Sequence, residues 1–339
     1  MDRTARKLRF VAGTDWADAR IVPLAGDASM RKYDRLHKAD GRTAVLMDAP
    51  PDKGEDVRPF LVIARYLLGL GLSAPQILAT DEAEGFLLIE DLGDALFARV
   101  VIERPALEST LYQAAGDALV TLHAGTPPEG LATYDPATMT RLSALSYSWY
   151  QSGARGTDPT GMEDFAKAFE PLLGQTTGTP DVVILRDYHA ENLLWLPERD
   201  GVARVGQLDF QDAMLGHRAY DLVSLLQDAR RDVPPALEEK MIARFIASSH
   251  ADPDTFRRAY DVLSVQRNLR ILGVFARLCM AYGRPHYVDL IPRVWAYLLR
   301  SLDRPALSDL RARLLHDLPA PTPETLDKLK EQCATRPLP

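Results

Sequence analysis

The sequence predicts an α+β protein that begins as a small, mostly antiparallel sheet with one helix and continues as a larger, mainly helical part. Three observations carry this expectation. Short apolar runs separated by turn residues fill the stretch from Ile21 to Ile89. One amphipathic segment lies among them, and helical spacing of apolar residues dominates most of the remaining chain.

Ile21-Val22-Pro23-Leu24 opens the strand region and leads into the turn Gly26-Asp27-Ala28-Ser29. A polar strand from about Arg31 to His37, a turn at Asp40-Gly41 and the strand Thr43 to Met47 follow, stopped by Pro50-Pro51. From Glu55 to Leu70, Phe60, Ile63, Ala64, Leu67 and Leu68 recur at helical spacing, and Gly69 and Gly71 close the helix. Gln76 to Ala79 and Phe86 to Ile89 read as strands, the second apolar throughout and so buried. The boundary is expected at Glu90-Asp91-Leu92-Gly93, dividing residues 1–92 from 93–339. Beyond it, Leu111, Ala115, Ala118, Leu119 and Leu122 mark one helical face, and Met162, Phe165, Phe169 and Leu172 another. Gln151 to Gly161, with its glycines and proline, reads as a loop. Val182 to Leu185 is a short strand. Leu193 to Leu196 and Val202 to Leu208 flank the turn-rich Pro197 to Gly201 and predict a hairpin. Helices are expected over most of 220–316, and Thr322-Pro323-Glu324 reads as a capped helix start.

At 339 residues the chain is long enough for two domains. A net charge of -7 argues against nucleic acid or an anionic membrane as the main partner. No stretch approaches a membrane span, the first ten residues lack the apolar core of a signal peptide, and Cys279 and Cys333 show no zinc spacing. These features predict a cytoplasmic protein with reduced thiols.

The chemistry concentrates in three polar clusters: Arg186-Asp187 with Asn192 five residues after the acid, Leu208-Asp209-Phe210, and Tyr220-Asp221. If the hairpin pairs, its open end sets Asn192 within a couple of residues of Asp209, and Asp187 is expected to enter the same end from the preceding strand. Two carboxylates and an amide in that arrangement suit phosphoryl transfer. Asp209 and Asn192 offer the hard oxygen ligands Mg2+ prefers, which leaves Asp187 to orient an acceptor hydroxyl and take its proton. Asp221 fits a bracing role at a helix start, and His189 a ring packed in the loop.

Leu185 to Asn192, Leu208-Asp209-Phe210 and Tyr220-Asp221-Leu222 resemble the aminoglycoside phosphotransferase superfamily. Gly26 to Ser29, Leu46 to Pro51, Glu90 to Gly93, Leu208 to Ala213 and Gln266 to Gly273 make the chain most similar to the anomeric sugar kinases of bacterial cell-wall recycling, which act on N-acetylmuramate and N-acetylglucosamine. The likeness spans residues 24 to about 300. It implies a bilobal kinase-like fold with an N-terminal nucleotide-binding lobe and a C-terminal catalytic and acceptor-binding lobe. It also implies ATP with Mg2+, Asp187 as base, Asn192 and Asp209 as metal ligands, and adenine recognition by the backbone near Glu90 and Leu92. The implied product is a sugar 1-phosphate.

Three positions depart from that pattern. Met47 stands where the phosphate-binding lysine is expected, Leu185 replaces a histidine, and the glycine loop has only Gly26. Either Arg31 or Lys32 supplies the missing cation, or both are solvated strand residues. Glu55 reads as a first-turn charge rather than an ion-pair partner. On the acceptor side, Gln266, Arg267, Arg270 and Arg277 fall on one arc of an otherwise apolar helix, and the arginines either meet a sugar carboxylate or pair with acidic neighbours. Asn268, the flat ring of Trp149 beside Tyr150, and Gln211 and Asp212 beyond Asp209 complete the acceptor candidates. Alternatives are a kinase for another small alcohol (an aminoglycoside, choline or homoserine), a metal-dependent phosphohydrolase built on Asp187, His189, Asp209 and Asp212, and a nucleotide-binding pseudoenzyme.

Overall fold

The computed structural model describes residues 2–24 and 30–337, so the turn at Gly26 lies outside the described residues. In chain order the elements are α1 (Arg3–Ala12), β1 (Arg20–Pro23), β2 (Lys32–His37), β3 (Thr43–Asp48), α2 (Arg58–Gly69), β4 (Ile77–Asp81), β5 (Phe86–Glu90), α3 (Phe97–Glu103) and α4 (Glu108–Ala124). Then come α5 (Pro136–Ser143), α6 (Ser152–Arg155), α7 (Pro159–Thr177), β6 (Val182–Ile184), β7 (Leu193–Trp195), β8 (Val205–Gln207), β9 (Met214–Gly216) and α8 (Ala219–Leu226). The chain ends with α9 (Pro235–Ser249), α10 (Pro253–Met280), α11 (Ile291–Leu302), α12 (Ser308–Asp317) and α13 (Pro323–Glu331). This is the expected α+β composition.

Contacts group the chain into two compact units, one of residues 1–130 with 190–213 and one of 131–189 with 214–339. The sequence division after Leu92 follows element type; the units follow contacts. In the first unit, an antiparallel five-stranded sheet runs in the order β1-β2-β3-β5-β4. Alternation along β2 and β3 sends Leu36, Ala44 and Leu46 to one face, where they pack with Val11, Trp16 and Leu88. Gly85 closes the β4–β5 turn at φ +72°, and a Cβ there would lie 2.0 Å from the Ala49 carbonyl oxygen, so only glycine fits. The β7–β8 hairpin belongs to this unit because Gln207 N–H donates to Ser73 O (2.7 Å) and Trp195 N–H to Ala95 O (2.8 Å).

The second unit is built around α10, capped by Asp252, whose side chain accepts from Thr255 N–H (2.9 Å). Gly273 lets α10 approach Leu145, since a Cβ would meet the Leu145 backbone at 2.2 Å. β6 pairs with β9, Val182 opposite Gly216, a two-stranded sheet that the sequence did not announce. α13 starts as expected, with Thr322 as cap.

Three element expectations are corrected; the second hairpin strand, expected over Val202–Leu208, is preceded by a 3-10 turn over Gly201–Arg204 and spans only Val205–Gln207. α2 starts at Arg58, after a 3-10 turn over Pro51–Lys53, because Asp56 bonds the Arg58 N–H (2.9 Å) in a turn of its own. Most of the loop expected over 151–161 is helical: a π-helical turn over Ser146–Gln151 runs into α6, and α7 begins at Pro159. Packing overrides the glycines there. Gln332 donates to Gly153 O (2.7 Å), Arg336 to the Ser152 hydroxyl (2.8 Å), and Leu329 and Met280 close on Gly153.

Candidate active site

In the first unit the hairpin register delivers two of the expected residues to one place. Leu193 pairs with Gln207, and Leu208 N–H donates to Asn192 O (2.9 Å), so Asp209 emerges one residue past Asn192's partner. Asn192 Nδ2 lies 3.5 Å from one Asp209 carboxylate oxygen, and Gln211 Nε2 donates to the other at 2.7 Å. Asp209 sits at φ 57°, in the left-handed region, which turns its side chain out of the strand direction. Phe210 is fully buried and stacks on Phe60 of α2 at 4.8 Å, anchoring the acid from behind.

Asn192, Asp209 and Gln211 border a cavity of about 350 Å³ within this unit. Leu24, Val45, Phe60, Ile89 and Leu92 give it apolar walls, and Glu90 and Asp91 stand at its rim. A mainly apolar slot with polar groups at one edge suits a nucleobase joined to a charged tail. Glu90 and Leu92 thus line the same cavity as Asn192 and Asp209. The Glu90 carboxylate is engaged by Arg199 (2.5 Å) and Gln76 N–H (3.2 Å), and the Glu90 N–H donates to Gln76 O (2.8 Å).

The two strand cations part company. Arg31 forms an ion pair with Glu55 (2.7 Å), correcting the reading of Glu55 as a helix-start charge: Glu55 precedes α2 and is the partner of Arg31. Lys32 is exposed and borders a separate cavity with Arg3, Asp48 and Lys53. Met47 is fully buried. Tyr33 and Arg35, absent from the sequence reading, also line the 350 Å³ cavity. Their signal was the alternation of β2, which puts every second residue on one face.

In the second unit, Asp187 is half-buried and its N–H donates to Leu185 O (2.9 Å). Burial pushes the Asp187 carboxyl up, but Arg270, His189, Arg267 and Arg186 outweigh it and hold the group below the usual carboxylate range. Of these, His189 is itself driven down to about 4 by burial, so the arginines supply the charge at neutral pH. Asp221 is fully buried in the first turn of α8 and accepts from Leu185 N–H (2.6 Å) and Arg186 N–H (2.9 Å). It thereby holds the backbone just before Asp187, where Arg186 adopts φ 71°. Burial pushes the Asp221 carboxyl up to about 7 despite those bonds.

The acceptor candidates divide. Arg270 donates to the Tyr220 hydroxyl (3.3 Å), while Arg267 donates to Gln227 O (3.3 Å) and is almost wholly buried. Asn268 is fully buried, its amide donating to Gln227 Oε1 (2.8 Å), and Gln266 is held by Tyr134 and the Met139 carbonyl. Trp149 is 8% exposed, inside the π-helical turn. In the first unit, Gln211 holds Asp209 and Asp212 is exposed.

Mg2+ tends to bind through one or two carboxylates and to keep several waters. Among the described residues there is no group of three His, Cys, Asp or Glu that would enclose a metal. The Asp209 carboxylate and Asn192 amide match the sparser donor set.

Residues 20–260 match the APH phosphotransferase enzyme family. A relative from Caulobacter vibrioides, named N-acetylmuramate/N-acetylglucosamine kinase, is 38% identical and covers 92% of this chain and 95% of its own. A protein of the same name from Pseudomonas aeruginosa is 35% identical over 89% of each chain. Among solved structures, a choline/ethanolamine kinase family protein from Mesorhizobium loti superposes with a TM-score of 0.61 at 16% identity, covering 97% of this chain and 100% of its own. A microcompartment-associated aminopropanol kinase reaches 0.60 at 15%, covering 92% and 98%. These two likenesses are of fold. With the paired Asn192 and Asp209 and the sequence match across most of its length, the chain belongs to the APH phosphotransferase enzyme family.

Proposed function

We propose that the protein phosphorylates the anomeric hydroxyl of N-acetylmuramate or N-acetylglucosamine with ATP, giving the sugar 1-phosphate in peptidoglycan recycling. The observation that carries the nucleotide half of this reading is the 350 Å³ cavity shared by Glu90, Leu92, Asn192 and Asp209. The relatives' names support the acceptor half.

In this reading the apolar walls take the base and the backbone near Glu90 and Leu92 bonds its edge. Asp209 and Asn192 would hold Mg2+, which when bound offsets charge on the outer phosphates. Gln211 keeps the Asp209 carboxylate in place. Asp187 orients the acceptor hydroxyl and takes its proton as the new oxygen–phosphorus bond forms and the bond to the leaving ADP oxygen breaks. The surrounding arginines keep Asp187 ionised, which a base requires, and their positive charge favours an anionic sugar over a cationic aminoglycoside.

Incubation with ATP, Mg2+ and a panel of amino sugars, read by phosphorus and proton NMR, tests the proposal. Phosphate on C1 is expected. Phosphate on another hydroxyl would move the reading to a different alcohol, and no transfer to any amino sugar would overturn it.

A further inference from the structure

Polyphosphate concentrates negative charge that a binding cleft has to offset, yet β3 offers only the buried Met47. The cations lining the cavity are Arg35 and Arg99. Arg35 lies opposite Val45, which lies opposite Ile89, and its guanidinium is bound by Asp91 (2.8 Å) and Asp94 (2.9 Å). It therefore belongs to the row where a base would bind. Arg99, on α3, follows Asp94 closely in the chain and stands on that same rim.

One pleat away along β2, ~7 Å at ~3.3 Å per residue, stands Tyr33, opposite Met47 and lining the cavity. Arg31 precedes it by two residues, the interval that returns a strand to the same face, and its guanidinium lies within electrostatic reach of Tyr33. Arg31 in turn donates through Nε to Glu55 at 2.7 Å, and the pair is largely buried, with side chains 13% and 14% exposed. A guanidinium remains charged under these conditions. An ion pair of this kind fixes a cation in position, as the lysine–glutamate pair does in protein kinases. A phenol hydroxyl is a neutral hydrogen-bond donor.

We propose that Tyr33 and Arg31, clamped by Glu55, form the phosphate-binding group of the cavity, the cation having passed from β3 to the neighbouring strand. The proposal rests on the nucleotide reading above and adds the residues that distinguish a triphosphate from a bare nucleoside. Tyr33 supplies a neutral donor at the cavity wall. Arg31 supplies the charge behind it, and Glu55 sets the angle from which both act.

Equilibrium titration without acceptor separates this from the rest of the site. ATP and adenosine are titrated into the wild-type protein and into Arg31→Ala, Arg31→Lys, Tyr33→Phe and Glu55→Gln. Arg31→Ala is expected to weaken ATP ~10–100-fold, the size of a lost charge-assisted bond, while adenosine affinity stays within about twofold. Arg31→Lys restores part of the loss, and Tyr33→Phe weakens ATP a few-fold. Glu55→Gln falls between Arg31→Ala and Tyr33→Phe. An ATP-to-adenosine ratio unchanged in Arg31→Ala and Tyr33→Phe overturns the proposal, as does equal weakening of both ligands. If the wild-type protein binds neither ligand, the nucleotide reading itself falls first, and this inference with it.

Discussion

Asp209 and Asp187 are both acids that the sequence singles out, and each is surrounded differently within its own unit. In the sheet unit, Asp209 stands at a cavity edge and is met by neutral amides, those of Asn192 and Gln211. In the helical unit, Asp187 lies in the field of Arg267 and Arg270, and two positions before it begins a backbone stretch hung on the buried Asp221. Amides position a carboxylate without neutralising it. Nearby arginines keep a carboxylate ionised against the cost of its burial. The contrast between Asp187 and Asp221 is sharper still: both are desolvated, yet one is held low and the other pushed up to about 7. Arginine charge outweighs burial at the first, whereas the second is fully buried and is raised further by the neighbouring Asp187 charge.

The largest expected effect tests the first half of that comparison. Asp187→Asn should lower turnover ~10²–10⁴-fold, the usual worth of a positioned base, with nucleotide affinity unchanged in a direct titration. Retained turnover would remove Asp187 from its role. Next comes Asp221→Ala, which leaves the N–H groups of Leu185 and Arg186 buried without their acceptor. Each should cost about 1–3 kcal/mol in urea unfolding; a loss below 1 kcal/mol in total, the worth of about one ordinary hydrogen bond, would show that the backbone before Asp187 does not hang on this acid.

The smallest effect is a pH slope in the helical unit. His217 is pushed down to about 4 by burial, and its neutral Nδ1 accepts from Ala219 N–H (3.1 Å) at the start of α8. A histidine depressed in the folded state contributes stability above its unfolded pKa and loses it as pH falls through the folded value. Stability should therefore decline between about 6.5 and 4. His217→Asn, which keeps an acceptor but takes up no proton, should flatten that decline; equal slopes in the two proteins would dissociate the acid limb from this residue.

Legibility followed the range of the interactions. The hairpin around Pro197 to Gly201 and the cap at Thr322 were readable because their causes are local: turn residues between apolar runs, and a hydroxyl three residues before the N–H it accepts from. Asp221 as a brace was readable from its place at a helix start. The β6–β9 pairing was not, since three-residue strands are too short to show a period. The Arg31–Glu55 pair joins residues 24 positions apart, and neither neighbourhood announces the other. Helix over 151–161 depends on the tail around Gln332 and Arg336, far off in the chain. The basic stripe on α10 was visible from spacing, but which arginine is enclosed and which meets Tyr220 depends on packing.

The backbone at Asp209 also shapes which sequences are open to descent. Its φ of 57° favours Gly and Asn and penalises branched side chains. An exchange to Asn would retain the local conformation while removing the charge. Under the proposed function, a single such step leaves a folded protein that still takes up nucleotide without turning it over, a short mutational distance between catalyst and sensor.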